Sequence, residues 1–363
     1  MAPLSIPNSP YELTAAWLTE ALHCKLSSSD ASVTSYTVES IGEGKGFMHQ
    51  IARLRLDYDD ESKDLPRTAI IKLPSTDPDV KAISDKMGDH QREVRFYEEV
   101  ATNAILRTPS SYYSAIDTVT GHTVLLLEDL GDARQGDSVV GCSQAEAELA
   151  IRLLAKFHAS WWESPRLEHL EWMPLKGAES NIYQEVYADA WKAFVHKSGH
   201  GMPSELREIG ERLSQHIPTI KDRLTDHPRT IIHGDYRLDN CFLGTSVDSE
   251  SLVVFDWEFC VIGRGTYDAA TFINEAFPPQ QRSNVEMGLL RMYHSSLVES
   301  GIQDYSFEEC LLDYRLSMLE IFVFWVVVGG YCDYEGDRAT TYLHNALERF
   351  NAAIADLDCT DLL

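Results

Sequence analysis

The hydrophobic period of this chain changes once, near Gly131, and that change limits the fold more than any other feature. Before it, apolar and polar residues alternate as on a half-buried strand: Ala52, Leu54, Leu56 and Tyr58 interleave with Arg53, Arg55 and Asp57. Val33 to Ile41, Thr68 to Leu73 and Thr123 to Leu127 read as further strands. His90 to Val100, with Val94, Tyr97 and Val100 on one side, reads as a helix between them. Ser9 and Pro10 predict the cap and first residue of a short opening helix. After Gly131 the spacing becomes helical. Ser143-Gln144-Ala145-Glu146 is a capping box that opens a helix carrying Leu149, Leu153, Leu154, Phe157 and His158. Further helices are predicted over 181–198, 203–224, 268–276, 280–300, 307–328 and 337–354. The expectation is an α+β chain, sheet first and helices after, divided into two parts because 363 residues exceed what one core usually serves.

Charge narrows the range of partners. Lysine and arginine number 31 against 57 aspartates and glutamates, a formal net charge of −26. This balance argues against nucleic-acid backbones and anionic membrane surfaces. A cationic substrate fits it, and so does an acidic surface that serves only solubility. The seven cysteines are scattered, without the Cys-x-x-Cys or short Cys/His spacings of a metal site. Reduced thiols in the cytoplasm are therefore expected. The longest apolar run, Ile321 to Val328, is too short to span a bilayer, and the N-terminus lacks the features of a signal peptide.

Chemistry concentrates in His233-Gly234-Asp235-Tyr236-Arg237-Leu238-Asp239-Asn240 and in Val253-Val254-Phe255-Asp256-Trp257-Glu258. An aspartate lies five residues before an asparagine, and a second aspartate follows an apolar strand. Such a set suits phosphoryl transfer from Mg-ATP. Asp235 can accept the proton of an attacking hydroxyl, while Asn240 and Asp256 offer hard oxygens to magnesium. His-Gly-Asp alone also occurs in metal hydrolases and ordinary turns; the combined pattern is the stronger signal.

These motifs, taken with Gly42-x-Gly44-x-Gly46, Ile70-Ile71-Lys72, Arg92-Glu93, Leu125-Leu126-Leu127-Glu128-Asp129-Leu130 and Leu154-Ala155-Lys156-Phe157-His158, resemble the aminoglycoside phosphotransferase and choline kinase-like superfamily. Within it the chain looks most like the ecdysteroid kinase-like group. The resemblance implies a bilobal protein-kinase-like fold: a β-rich ATP-binding lobe over 1–127, a hinge at 128–131, and a helical lobe over 132–363 with the catalytic loop, metal site and acceptor pocket. It further implies that Gly42, Gly44 and Gly46 cover the nucleotide phosphates, although the third glycine comes one position earlier than in protein kinases, and an ordinary hairpin turn explains them too. By the same resemblance Lys72 contacts phosphate and pairs with Glu93, with Glu98 and Glu99 as rivals, and Glu128 and Leu130 present backbone to adenine. Asp235 acts as catalytic base or at least orients the acceptor hydroxyl, Asn240 and Asp256 hold magnesium, and His233 and Asp268 brace the loop. For Arg237 and Asp239, a salt bridge and a contact with the acceptor both stay open.

The function implied is a kinase using ATP and Mg2+ to phosphorylate a hydroxyl of a small-molecule alcohol, amine-bearing or steroid-like, without nucleic acid or membrane as partner. A catalytically silent nucleotide-binding or scaffold protein is the first alternative. A protein kinase is the second; against it, Trp257-Glu258 replaces Phe-Gly after the aspartate, and no Ala-Pro-Glu segment follows.

Overall fold

The computed structural model describes residues 4–26, 31–41, 49–60, 65–78, 89–131, 133–178, 180–244, 251–331 and 336–363. The chain divides into two compact units, one of Met1–Asp132 with Val254–Phe259 and the other of Ala133–Val253 with Cys260–Leu363. Both mixed secondary structure and its order along the chain place the protein in the α+β class.

In the first unit, α1 (Ala15–His23) precedes β1 (Val33–Ser40), β2 (His49–Tyr58) and β3 (Thr68–Pro74), and α2 (Asp89–Glu99) precedes β4 (Ser111–Ile116) and β5 (Thr123–Glu128). The five strands form one antiparallel sheet in the order β1-β2-β3-β5-β4. Its pleat sends Leu54, Ile71, Val124 and Leu126 into a core closed by Leu18 and Leu22 of α1. Lys72, one residue along from Ile71, is thereby turned to the opposite face.

The opening helix differs from its prediction. Pro10–Glu12 is a single 3-10 turn capped by Ser9, and α1 starts separately behind Thr14, whose hydroxyl accepts from Trp17 N. Leu13 between them is extended and buried, and its carbonyl is taken by the Tyr36 hydroxyl. A core contact thus outweighs continuation of the helix.

The second unit holds two small sheets and eight α-helices among its described residues. In chain order they are β6 (Arg134–Gln135), α3 (Gln144–Trp161), α4 (Ser180–Ser198), α5 (Ser204–Leu213), α6 (Ile217–Thr225), β7 (Thr230–Ile232), β8 (Cys241–Leu243), β9 (Leu252–Val254), β10 (Val261–Gly263), α7 (Thr266–Ala276), α8 (Pro279–Glu299), α9 (Phe307–Tyr331) and α10 (Asp337–Asp356). β9 ends across the unit boundary, since Val254 counts with the first unit. β7 pairs with β10, and β8 lies between β6 and β9. Segment 203–224, predicted as one helix, is two. Pro218 has no N–H to continue the ladder of α5 but fits the first turn of α6.

The predicted capping box is formed: Ser143 Oγ accepts from Glu146 N at 3.3 Å, and Glu146 Oε2 accepts from Ser143 N at 2.8 Å. Ser143→Ala is expected to lower the unfolding free energy by about 1 kcal/mol, measured by urea denaturation, because it strips one partner from an otherwise unsatisfied helix N–H. The described cysteines form no disulfide, and four of the six are buried. No helix among the described residues is long and apolar enough to cross a membrane.

Candidate active site

Lys72 is the centre of a buried ionic cluster in the first unit. Its Nζ lies 2.6 Å from Glu93 Oε2 on α2, 2.6 Å from Asp256 Oδ1 and 3.8 Å from Glu258 Oε2. Burial alone would drive the ammonium toward neutrality, but Asp256, Glu93 and Glu258 together hold its pKa well above the usual lysine value. Burial raises the Glu93 carboxyl against the pull of Lys72. The Glu98 and Glu99 carboxylates are engaged elsewhere, with Ser114 and Arg95 respectively.

Two features fix Asp256. Trp257 stacks flat on Phe96 of α2, ring centroids 3.9 Å apart and 8° from parallel. Asp256 itself has φ of +68°, a left-handed backbone that is uncommon for residues other than glycine, asparagine and aspartate. The carboxylate oxygens of Glu93, Asp256 and Glu258 lie within 4.8 Å of one another, an all-oxygen donor set that fits a hard dication such as Mg2+.

Glu128 ends β5 with its carboxylate accepting from Arg107 Nη2 at 2.9 Å and Ser110 N at 3.0 Å. Leu130 follows in irregular, partly exposed backbone, and Asp129 between them takes a two-point contact from Arg53 at 2.7 and 3.2 Å. Gly42, Gly44 and Gly46 lie outside the described residues.

In the second unit the segment from His233 to Asn240 runs between β7 and β8. Asp268, in the first turn of α7, accepts from His233 N at 2.6 Å and Gly234 N at 3.0 Å, and its Oδ2 also lies 3.3 Å from His158 Nε2. His233 Nδ1 accepts from Asp235 N at 3.2 Å, so the ring ties the loop to itself. Gly234 has φ of +84°, where a side chain would be strained. Asp235 Oδ2 accepts from Asn240 Nδ2 at 2.8 Å and from Arg237 Nε at 3.0 Å. With its amide nitrogen turned to Asp235, Asn240 keeps its carbonyl oxygen for another partner. Arg237 makes the salt bridge; Asp239 accepts from Ser138 N at 3.1 Å and sits 3.7 Å from Arg338.

Arg237 extends this network inward. Its Nη1 donates to Tyr342 Oη at 2.7 Å, Tyr342 Oη donates to Glu275 Oε2 at 3.1 Å, and Trp325 Nε1 donates to Glu275 Oε1 at 3.3 Å. Burial raises the Glu275 carboxyl to about 7, outweighing the Arg237 guanidinium. Between its ordinary value of 4.5 and about 7, the folded chain retains a proton that the unfolded chain has released. Stability therefore falls as pH rises through that window. Glu275→Gln is expected to flatten that part of the pH–stability curve, as read from denaturant midpoints between pH 5 and 8.

Sequence reasoning did not find Glu275, Tyr342, His49 or His90. For His49 a signal existed: with Ile51 opposite Lys72 in the β2–β3 register, alternation puts His49 on the lysine's face. Nothing local marks Glu275 or Tyr342, which meet Arg237 only through helices α7 and α10.

Residues 43–303, well over half of the chain, match the model of the ecdysteroid kinase-like family. Solved structures with a similar architecture include choline kinase from Cryptosporidium parvum Iowa II, at 11% identity over 98% of this chain and 95% of that chain, TM-score 0.56. A variant of aminoglycoside 2'-phosphotransferase-IIIa in its GDP complex shares 12% identity over 94% and 99%, TM-score 0.53. A choline/ethanolamine kinase family protein from Mesorhizobium loti shares 14% over 91% and 94%, TM-score 0.51. At such identities the likeness is one of fold, here the kinase-like α+β architecture. No curated protein sequence matches the chain. The motif order and the match over 43–303 lead to one conclusion: the chain belongs to the ecdysteroid kinase-like family.

Proposed function

We propose that this protein is a kinase transferring the terminal phosphoryl group of ATP to a hydroxyl of a small-molecule alcohol, with magnesium as cofactor. The observation that carries the reading is the buried Lys72 ammonium held 2.6 Å from both Glu93 and Asp256. A lysine kept charged in a buried place can meet phosphate oxygens without paying for desolvation at the moment of reaction. Bound Mg-ATP supplies the phosphoryl group together with a dication that offsets charge on its oxygens.

The chain's own residues divide the remaining tasks. Glu93 orients Lys72 toward phosphate. Asp256 and the carbonyl oxygen of Asn240 are magnesium ligands, and the backbone of Glu128 and Leu130 receives the nucleotide base. Asp235 orients the acceptor hydroxyl and takes its proton, while Arg237 and Asn240 fix the rotamer of its carboxylate. Asp268 and His233 hold the loop so that this carboxylate does not wander. In this reading residues 1–127 are the nucleotide-binding part, 128–131 the hinge and 132–363 the helical part that selects the acceptor, in a cytoplasmic protein whose thiols stay reduced. Relatives named for choline and aminoglycosides support an alcohol acceptor, and a family named for ecdysteroids supports a steroid-like one equally.

The test combines binding with turnover. ATP with Mg2+ is expected to raise the thermal midpoint of the wild-type protein, with the shift lost in Asp256→Ala. One member of a library of amine-bearing and steroid alcohols is expected to stimulate ADP release. Protection without stimulation by any alcohol would instead identify a silent nucleotide binder.

A further inference from the structure

A second group of side chains lies beside Lys72: the proposed phosphoryl transfer leaves its two histidines unused, while Glu258 is shared with the Lys72 cluster. His49 opens β2, His90 is the second residue of α2, and Glu258 lies two residues after Asp256. All three are withdrawn from solvent: the His49 and Glu258 side chains are each 7% exposed and His90 is buried. His49 Nδ1 is 3.3 Å from Glu258 Oε2, and the two imidazoles meet edge to face with centroids 4.1 Å apart and planes at 69°. One donor atom from each residue falls within 4.8 Å of both others.

From this convergence we infer that His49, His90 and Glu258 form a site for a borderline transition-metal dication of the zinc class, separate from the magnesium ligands Asn240 and Asp256. The donor set decides the class. Two imidazole nitrogens with one carboxylate oxygen suit Zn2+, Co2+ or Ni2+, whereas Mg2+ takes oxygen donors and gives up its water reluctantly. Donors about 2.0–2.1 Å from a tetrahedral metal stand about 3.3 Å apart. The His49–Glu258 pair already has that spacing, and the donors of the remaining pairs lie within 4.8 Å of one another.

Lys72 lies closer to its other two carboxylates than to this one. Its ammonium is committed to Glu93 and Asp256 at 2.6 Å, and Glu258 stands back at 3.8 Å. Arg92 donates to the Glu258 main-chain carbonyl at 3.2 Å, steadying the backbone of this ligand, whose Oε2 lies 3.3 Å from His49 Nδ1. The three ligands come from a strand, a helix and a turn of one compact unit, so the site is held by its core.

The experiment uses the full-length protein stripped with a chelator. Calorimetric titration with zinc chloride in excess magnesium chloride is expected to show one zinc per chain at micromolar affinity or tighter. His49→Ala and His90→Ala should each weaken it at least tenfold, and Co2+ should give visible bands of a nitrogen-coordinated, low-symmetry site that both variants lose. Zinc binding that excess magnesium abolishes, that is absent, or that survives intact in the double variant would overturn the assignment. Should the alanine variants fail to fold, the cobalt spectrum of the intact protein decides: a hexaaqua-like spectrum rejects the site. Because the readout is metal binding alone, it is independent of whether the chain turns over ATP.

Discussion

Asp235→Ala is expected to cut alcohol-stimulated ATP turnover at least about 10³-fold while nucleotide affinity stays within about threefold of wild type. General-base assistance contributes roughly 10²–10⁴-fold, and losing the orientation of the hydroxyl adds to it. Nucleotide binding should survive because Lys72, Glu93 and Asp256 belong to a different compact unit from Asp235, and of the proposed metal ligands only Asn240 touches its carboxylate. Asp235→Asn sharpens the experiment. An amide can still be held by Arg237, as Asp235 Oδ2 is now at 3.0 Å, but cannot take a proton. A comparable loss in both variants assigns a base; a much smaller loss in the asparagine variant assigns a positioning role. Steady-state kinetics beside calorimetry with a non-hydrolysable nucleotide would separate the two quantities. Unchanged turnover in Asp235→Ala would remove this residue from the mechanism.

The second large effect is on stability. Glu320 lies on α9, buried, and accepts from Lys221 Nζ at 2.8 Å while Lys176 Nζ stands 3.3 Å away. Each ammonium also faces a ring, Lys176 over Tyr267 at 3.7 Å and Lys221 over Tyr183 at 3.8 Å. Burial pulls Lys176 down to about 8 despite Glu320, which shows how strongly this place resists charge. Glu320→Ala leaves two ammoniums without their common carboxylate. A loss of about 3–5 kcal/mol is expected, as for other broken buried ion pairs, with a thermal midpoint lower by roughly 10 °C. Adding Lys176→Met and Lys221→Met to Glu320→Ala should recover part of the loss, since the penalty comes from unpaired charge more than from lost packing. A single variant within about 1 kcal/mol of wild type by denaturant unfolding would mean that water reaches these lysines.

Some of this was readable from residue order because its physics is local. The period change near Gly131 is a statement about which side of each element is apolar, and it marked sheet and helices within a few residues of their ends. Ser143 and Glu146 cap their helix by contacts three residues apart, so four letters sufficed. Pro218 shows the limit of that reading: a run of helical spacing concealed a break that needed attention to one missing N–H. Leu13 shows another, since a buried extended residue overrode a locally plausible helix.

The candidate site was named from motif order, and proximity had to come from the fold. Lys72 and Asp256 are 184 positions apart and meet at 2.6 Å; no spacing rule relates them. The Arg237–Tyr342–Glu275 chain draws on a loop and two helices, and the pair of histidines beside Glu258 on a strand, a helix and a turn. By itself the sequence determined the class of fold, the family, and which residue types were at hand for phosphate, metal and proton. Tertiary structure alone decided which of them touch, because backbone periodicity is set within a few residues whereas a side chain's charge state and partners are set by whatever packing brings within about 4 Å of it.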